Sequence, residues 1–167
     1  MKSEKKENPL TDWDGFFREI QNESPRASVI ISAAFLDAQL REIISNAFID
    51  TPRVKVVSKR ILSSSFGSKI EIAYCMGLIN EIVFDDLSFI LKIRNKFAHE
   101  MHNYSFNEPK IVSWCKSLKL ARMTTNVSSI PNSHGNLFIL GVVQLATQLG
   151  LKIAEVQGKK TDEVDVQ

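Results

Sequence analysis

The feature that most constrains this chain is a helical period that recurs almost from end to end. Apolar residues return every three or four positions, and no alternating stretch long enough to make a convincing strand interrupts them. The segment "SPRASVIISAAFLDAQLREIISNAF" shows it best, with Val29, Ala33, Leu36, Leu40, Ile43, Ile44 and Ala47 on one stripe. Ser24 before Pro25 supplies a cap and a first-turn residue, so a long helix is predicted from there to about Phe48. A chain of 167 residues suits one domain, and a domain of that size buries about two-thirds of its unfolded surface. The expected fold is all-α, a single-domain bundle of about six to eight helices.

The remaining elements follow from the same period and from punctuation. A first helix starts at Thr11 or Asp12, either of which can cap it, and carries Trp13, Phe16, Phe17 and Ile20 at helical spacing. "DTPRVKVVSKRILSSSFGS" holds a turn and a short or broken helix. "SKIEIAYCMGLIN" is apolar almost all the way round, which predicts a helix buried on several sides. Gly77 within it costs about 1 kcal/mol against Ala, and close approach of a neighbouring helix is the expected compensation. A further helix covers residues 85–99, and a shorter one is opened by Asn107 or Glu108 with Pro109 in its first turn. "TTNVSSIPNSHGN" reads as a loop, and a last helix spans about residues 137 to 156. Residues 1–10 are expected to be a disordered charged lead, 11–157 the helical domain and 158–167 a flexible tail.

Composition narrows the function classes. Hydrophobic residues make up 44% and charged residues 24% of the chain, which is the balance of a soluble globular domain. The net charge of +2 gives no global attraction for nucleic acid, so such binding would need a local patch. Arg53, Lys55, Lys59 and Arg60 form the densest basic cluster, read as a solvated loop between helices. Cys75 and Cys115 have no CxxC neighbour, which fits buried free thiols in a reducing cytoplasm. "MKSEKKENPL" lacks the apolar core of a signal peptide. "NLFILGVVQLATQLGL" falls short of the ~20 apolar residues of a span and carries Gln144, Thr147 and Gln148 on one stripe, so a buried amphipathic helix is predicted and no membrane is expected.

Three charged residues break the pattern. On the helix over residues 85–99, a wheel at about 100° per residue puts Arg94 inside the apolar arc between Ile90 and Ala98. Asp37 sits in the apolar stripe of the second helix, and Glu71 is the one acid on the nearly all-apolar segment after Ser68. An unpaired buried charge costs several kcal/mol, so Arg94 is expected to meet Asp37, Glu71 or both, in a structural polar network joining three helices. His99 reads as a half-exposed residue favoured by the helix C-terminus. A His99–His102 metal pair lacks a completing ligand, and no metal or cofactor is expected. Gly-rich phosphate loops, GxSxG, HExxH and a compact helix-turn-helix are absent from the sequence.

The block "FGSKIEIAYCMGLINEIVFDDLSFILKIRNKFAHE" resembles the core of the mannitol operon repressor family. Ser68, Lys69, Ile70, Glu71, Ala73, Tyr74, Gly77, Leu78 and Ile79 match the first part of the family pattern. Ile93, Arg94, Asn95, Phe97, Ala98 and His99 match the second. The segment "AAFLDAQLREIISNAF" is similar to the family's preceding helix, with Asp37 in the acidic place. The resemblance covers about half the chain. It implies an all-helical cytoplasmic regulator of transcription, without a conventional DNA-binding motif, a homodimer with a possible protein partner. A second pattern, R-x4-H with a polar residue after the Arg, resembles HEPN-type helical ribonucleases. That resemblance implies a metal-independent endoribonuclease acting on RNA, with Arg94, Asn95 and His99 as the catalytic residues. The wheel separates Arg94 from His99 by about 140°, so a shared cleft would need a long reach by the arginine.

Overall fold

A computed structural model describes residues 13–100, 104–124 and 133–164. Among these residues there are eight helices and no strand. They are α1 (Trp13–Asn22), α2 (Pro25–Ala47), α3 (Pro52–Leu62), α4 (Phe66–Cys75), α5 (Glu81–His99), α6 (Pro109–Ser117), α7 (Lys119–Thr124) and α8 (His134–Val164). The all-α bundle expected from the period is the observed fold.

Local chemistry sets several boundaries. Ser24 caps α2, its side chain accepting from the Ala27 amide at 3.3 Å, with Pro25 in the first turn. Thr51 caps α3, Ser65 caps α4 and Asn80 caps α5 in the same way. The capped start at Asn80 places α5 one turn earlier than the apolar pattern alone suggests. Gly77 proves to lie outside α4. Its φ of +67° closes the helix, with the Leu78 amide donating to the Ala73 carbonyl and the Gly77 amide to Tyr74, each at 2.9 Å. This is a Schellman ending, and a left-handed residue is what it needs. A Cβ at Gly77 would meet nothing within 4 Å, so the expected close helix approach is not the reason for this glycine. Such an approach occurs at Gly141 of α8, where a Cβ would sit 2.7 Å from Leu118 Cδ1.

The core forms between α2, α5 and α8. α2 packs along α8, and Val29, Leu36, Leu40, Ile43 and Ile44 of the first and Phe138, Val142, Leu145, Leu149 and Ile153 of the second are all buried. Leu87, Ile90, Ile93 and Phe97 of α5 complete it, and each such side chain contributes about 1.5–3 kcal/mol by leaving water. Gln39 lies inside this seam and donates to the Ala146 carbonyl at 3.2 Å, tying α2 to α8. Phe16 of α1 stacks on Phe35 of α2 with ring centroids 4.0 Å apart.

Two further expectations change. α8 includes a stretch, His134–Gly158, that is long and apolar enough to cross a membrane. The stretch "NLFILGVVQLATQLGL", residues 136–151, is only the middle of that segment. In the fold its apolar stripe packs on α2. The backbone remains helical to Val164, past the helix end expected near residue 156. Residues 1–10, and the cap at Thr11 or Asp12, lie outside the described residues. So does most of the expected loop after α7, residues 125–132.

Candidate functional site

The helices leave an open cleft of about 530 Å³ where α2, the α3–α4 turn and α5 converge. Ile30, Ala33 and Ala34 of α2 form one wall with Asp37, and Leu91, Arg94 and Asn95 of α5 form another. Ser64, Ser65 and Phe66 close the third side at the start of α4.

The cleft contains two of the three residues of the expected polar network, in a different pairing. Asp37 is held by Lys69, whose Nζ donates to both carboxylate oxygens at 2.8 and 2.9 Å. The Lys69 side chain is only 5% exposed, and that of Asp37 33%. Lys69 shares the buried face of α4 with Ile70 and Ala73. The buried cation of the network is therefore this lysine, which the sequence reading passed over. Its signal was available: a lysine four residues before Ala73 on a helix that is otherwise apolar on that side.

Arg94 is exposed, and its Nη1 donates to the Oδ1 of Asn95 at 3.0 Å. On the wheel Arg94 falls between Ile90, which is fully buried, and Ala98, which the fold leaves exposed. A wheel compresses a helix along its axis, however, and α4 has 10 residues against the 19 of α5. At 1.5 Å per residue, α4 covers only about half of α5. It runs antiparallel to α5, with Tyr74 against Phe84 at one end and Gly67 against Leu91 at the other. Arg94 lies one turn beyond that end, where the cover stops and the cleft opens. Glu71 projects outward and is exposed, so it takes no part in the network.

His99 is exposed at the last residue of α5. The neighbouring turn is tied down by other groups: Lys96 pairs with Glu100 at 2.6 Å, and the Arg26 guanidinium donates to the Glu100 carbonyl. The Lys96 ammonium, through its hydrogen bond and charge, holds the Glu100 carboxyl below its ordinary range. His102 lies outside the described residues.

Elsewhere, Asp86 of α5 is fully buried and accepts from the backbone amides of Lys119 and Leu120 at 2.8 and 2.9 Å. It caps α7 from another helix. Burial pushes its carboxyl above the ordinary range despite those two bonds. Of the cysteines, Cys115 is buried and its thiol is pushed up to about 12 by that burial, whereas Cys75 is exposed. Arg53, Lys55, Lys59 and Arg60 stand on α3, not in a loop, and none of that helix's residues is buried.

The family model described as MtlR, mannitol repressor, matches residues 19–148, well over half of the chain. The chain belongs to the mannitol repressor family. No curated protein matches it. Among solved structures, the X-ray structure of the MtlR–HPr complex from Escherichia coli is similar in fold, with a TM-score of 0.67 at 13% sequence identity. The alignment covers 81% of this chain and 96% of that one. The family match spans both walls of the cleft, including Asp37, Lys69 and Arg94.

Proposed function

We propose that this member of the mannitol repressor family is a cytoplasmic regulator of transcription that works by docking on another protein, with no DNA-reading helix of its own. The observation that carries this reading is the likeness in fold to an MtlR solved in complex with HPr, and HPr is accordingly the proposed partner. The surface of α3 and the turn before it is consistent with docking: Ile49 of the turn and Val56 and Val57 of α3 are 72%, 70% and 59% exposed, with Arg53 and Arg60 on the same helix. Exposed apolar side chains grouped with arginines are the composition of protein interfaces.

Isothermal titration of the full chain with HPr from the same cell tests this. Saturable binding with a defined stoichiometry is expected, and the absence of heat or co-elution at micromolar concentrations would count decisively against it. The same preparation is expected to elute as a homodimer, which light scattering reads directly.

A second reading is an endoribonuclease using Arg94, Asn95 and His99. It is favoured by the exposure of both Arg94 and His99, which leaves each free to meet a large substrate. Incubation with RNA beside a His99→Ala control decides it, and uncut RNA in both samples discards the enzyme.

A further inference from the structure

We propose that the α2–α4–α5 cleft binds a small phosphate ester, gripped through its phosphoryl group by Arg94, Asn95 and Ser64. The proposal is independent of the HPr reading, because it rests only on the groups that line the cleft.

Charge comes first. The Asp37 carboxylate faces the cleft but is neutralised by the bidentate bond from Lys69. The nearest carboxylate along α5 beyond Asn95, that of Glu100, is paired with Lys96. Among the described residues, the Arg94 side chain hydrogen-bonds to a neutral amide. The lining therefore carries one uncompensated positive charge, on a guanidinium with five N–H donors of which one is engaged.

Hydrogen-bonding capacity comes second. The three serines of the α3–α4 turn are not equivalent. The Ser63 hydroxyl donates to the Arg60 carbonyl at 3.3 Å. That of Ser65 accepts from the Ser68 amide at 3.1 Å and lies 2.9 Å from the Ser68 hydroxyl. Ser64 also lines the cleft, and its Oγ is buried with no partner. Buried hydroxyls are rarely left unpaired, and a turn about the single Cα–Cβ bond of Ser64 would bring this one to an acceptor oxygen in the cleft. Asn95 accepts from Arg94 through Oδ1, which leaves its NH2 as a further donor.

A guanidinium, an amide NH2 and a hydroxyl drawn from two different elements match a group that offers several acceptor oxygens in different directions. A phosphoryl group does this, and a planar carboxylate uses fewer such donors at once. The volume of about 530 Å³ lies in the range of small-molecule sites. It leaves room for an organic remainder against Ile30, Ala33 and Leu91, so the ligand is an ester and not the bare ion.

The experiment uses the full chain with three probes: glycerol 3-phosphate, inorganic phosphate and glycerol, titrated by calorimetry. Saturable binding of glycerol 3-phosphate is expected, tighter than inorganic phosphate, with none for glycerol. Arg94→Gln is expected to weaken it by about tenfold or more, the loss of one charge-assisted grip, and Ser64→Ala by a smaller factor. Arg122→Gln, which removes an exposed charge on α7, is expected to change nothing. Arg94 and Arg122 are both exposed, so these variants keep the fold, which circular dichroism verifies. The proposal is overturned if no probe binds at millimolar concentration, or if Arg122→Gln weakens binding as much as Arg94→Gln. Inorganic phosphate binding as tightly as the ester would equally overturn it, since only a bare anion would then be recognised.

Discussion

The Asp37–Lys69 pair and Asp86 carry the polar energetics inside this bundle. Removing Asp37 strands a buried ammonium, so Asp37→Ala is expected to cost about 2–4 kcal/mol, with the one-third exposure of the carboxylate holding the loss below that of a sealed pair. Urea denaturation measures this, and the double variant Asp37→Ala/Lys69→Met should recover much of the loss. Arg94→Met, by contrast, should unfold within about 0.5 kcal/mol of the parent, as surface substitutions do. A large loss there would restore the buried network first expected of Arg94. Asp86→Asn keeps one acceptor for α7 but turns an NH2 toward the second amide, at a cost of about 1–3 kcal/mol at neutral pH. Its pH dependence has a definite sign. The folded carboxyl titrates above the ordinary 3.8, so the folded state holds this proton more firmly than the unfolded chain. The contribution to stability is complete below 3.8 and is lost as pH rises through the raised value. The advantage of the parent over Asp86→Asn should therefore shrink over that interval, as paired thermal melts at stepped pH would record.

At the scale of elements, capping serves the bundle better than propensity. α4 ends on Gly77 because its φ of +67° is strained for any residue with a Cβ. Gly77→Ala is expected to lower stability by about 1 kcal/mol, even though the new methyl would meet no neighbour. A stabilised variant would refute the Schellman assignment. α3 presents the opposite case. With no buried residue it contributes little to the core, so Val56→Glu and Val57→Glu should leave the melting temperature unchanged while impairing any partner that docks there. The capped start at Ser24 was legible in the sequence, whereas those at Ser65 and Asn80 were not read there. α7 was not, because six residues show no period and its capping carboxylate comes from another helix 33 positions away.

Across the whole molecule, α2, α5 and α8 share one continuous core, which predicts a single cooperative unfolding transition by circular dichroism and by tryptophan fluorescence. The family, the helical class and the course of α2 were readable from the chain, because amphipathic period and caps are local and survive any packing. The cleft residues Asp37 and Arg94 were marked in advance as misplaced charges, yet their partners were not. Which ammonium meets Asp37, and whether Arg94 is covered, depend on where a ten-residue helix stops along a nineteen-residue neighbour. Sequence fixes the angle at which a side chain leaves its helix. Only the tertiary structure decides what lies in front of it, since cover is a property of the opposing element's length and position, and neither is written in the residue itself.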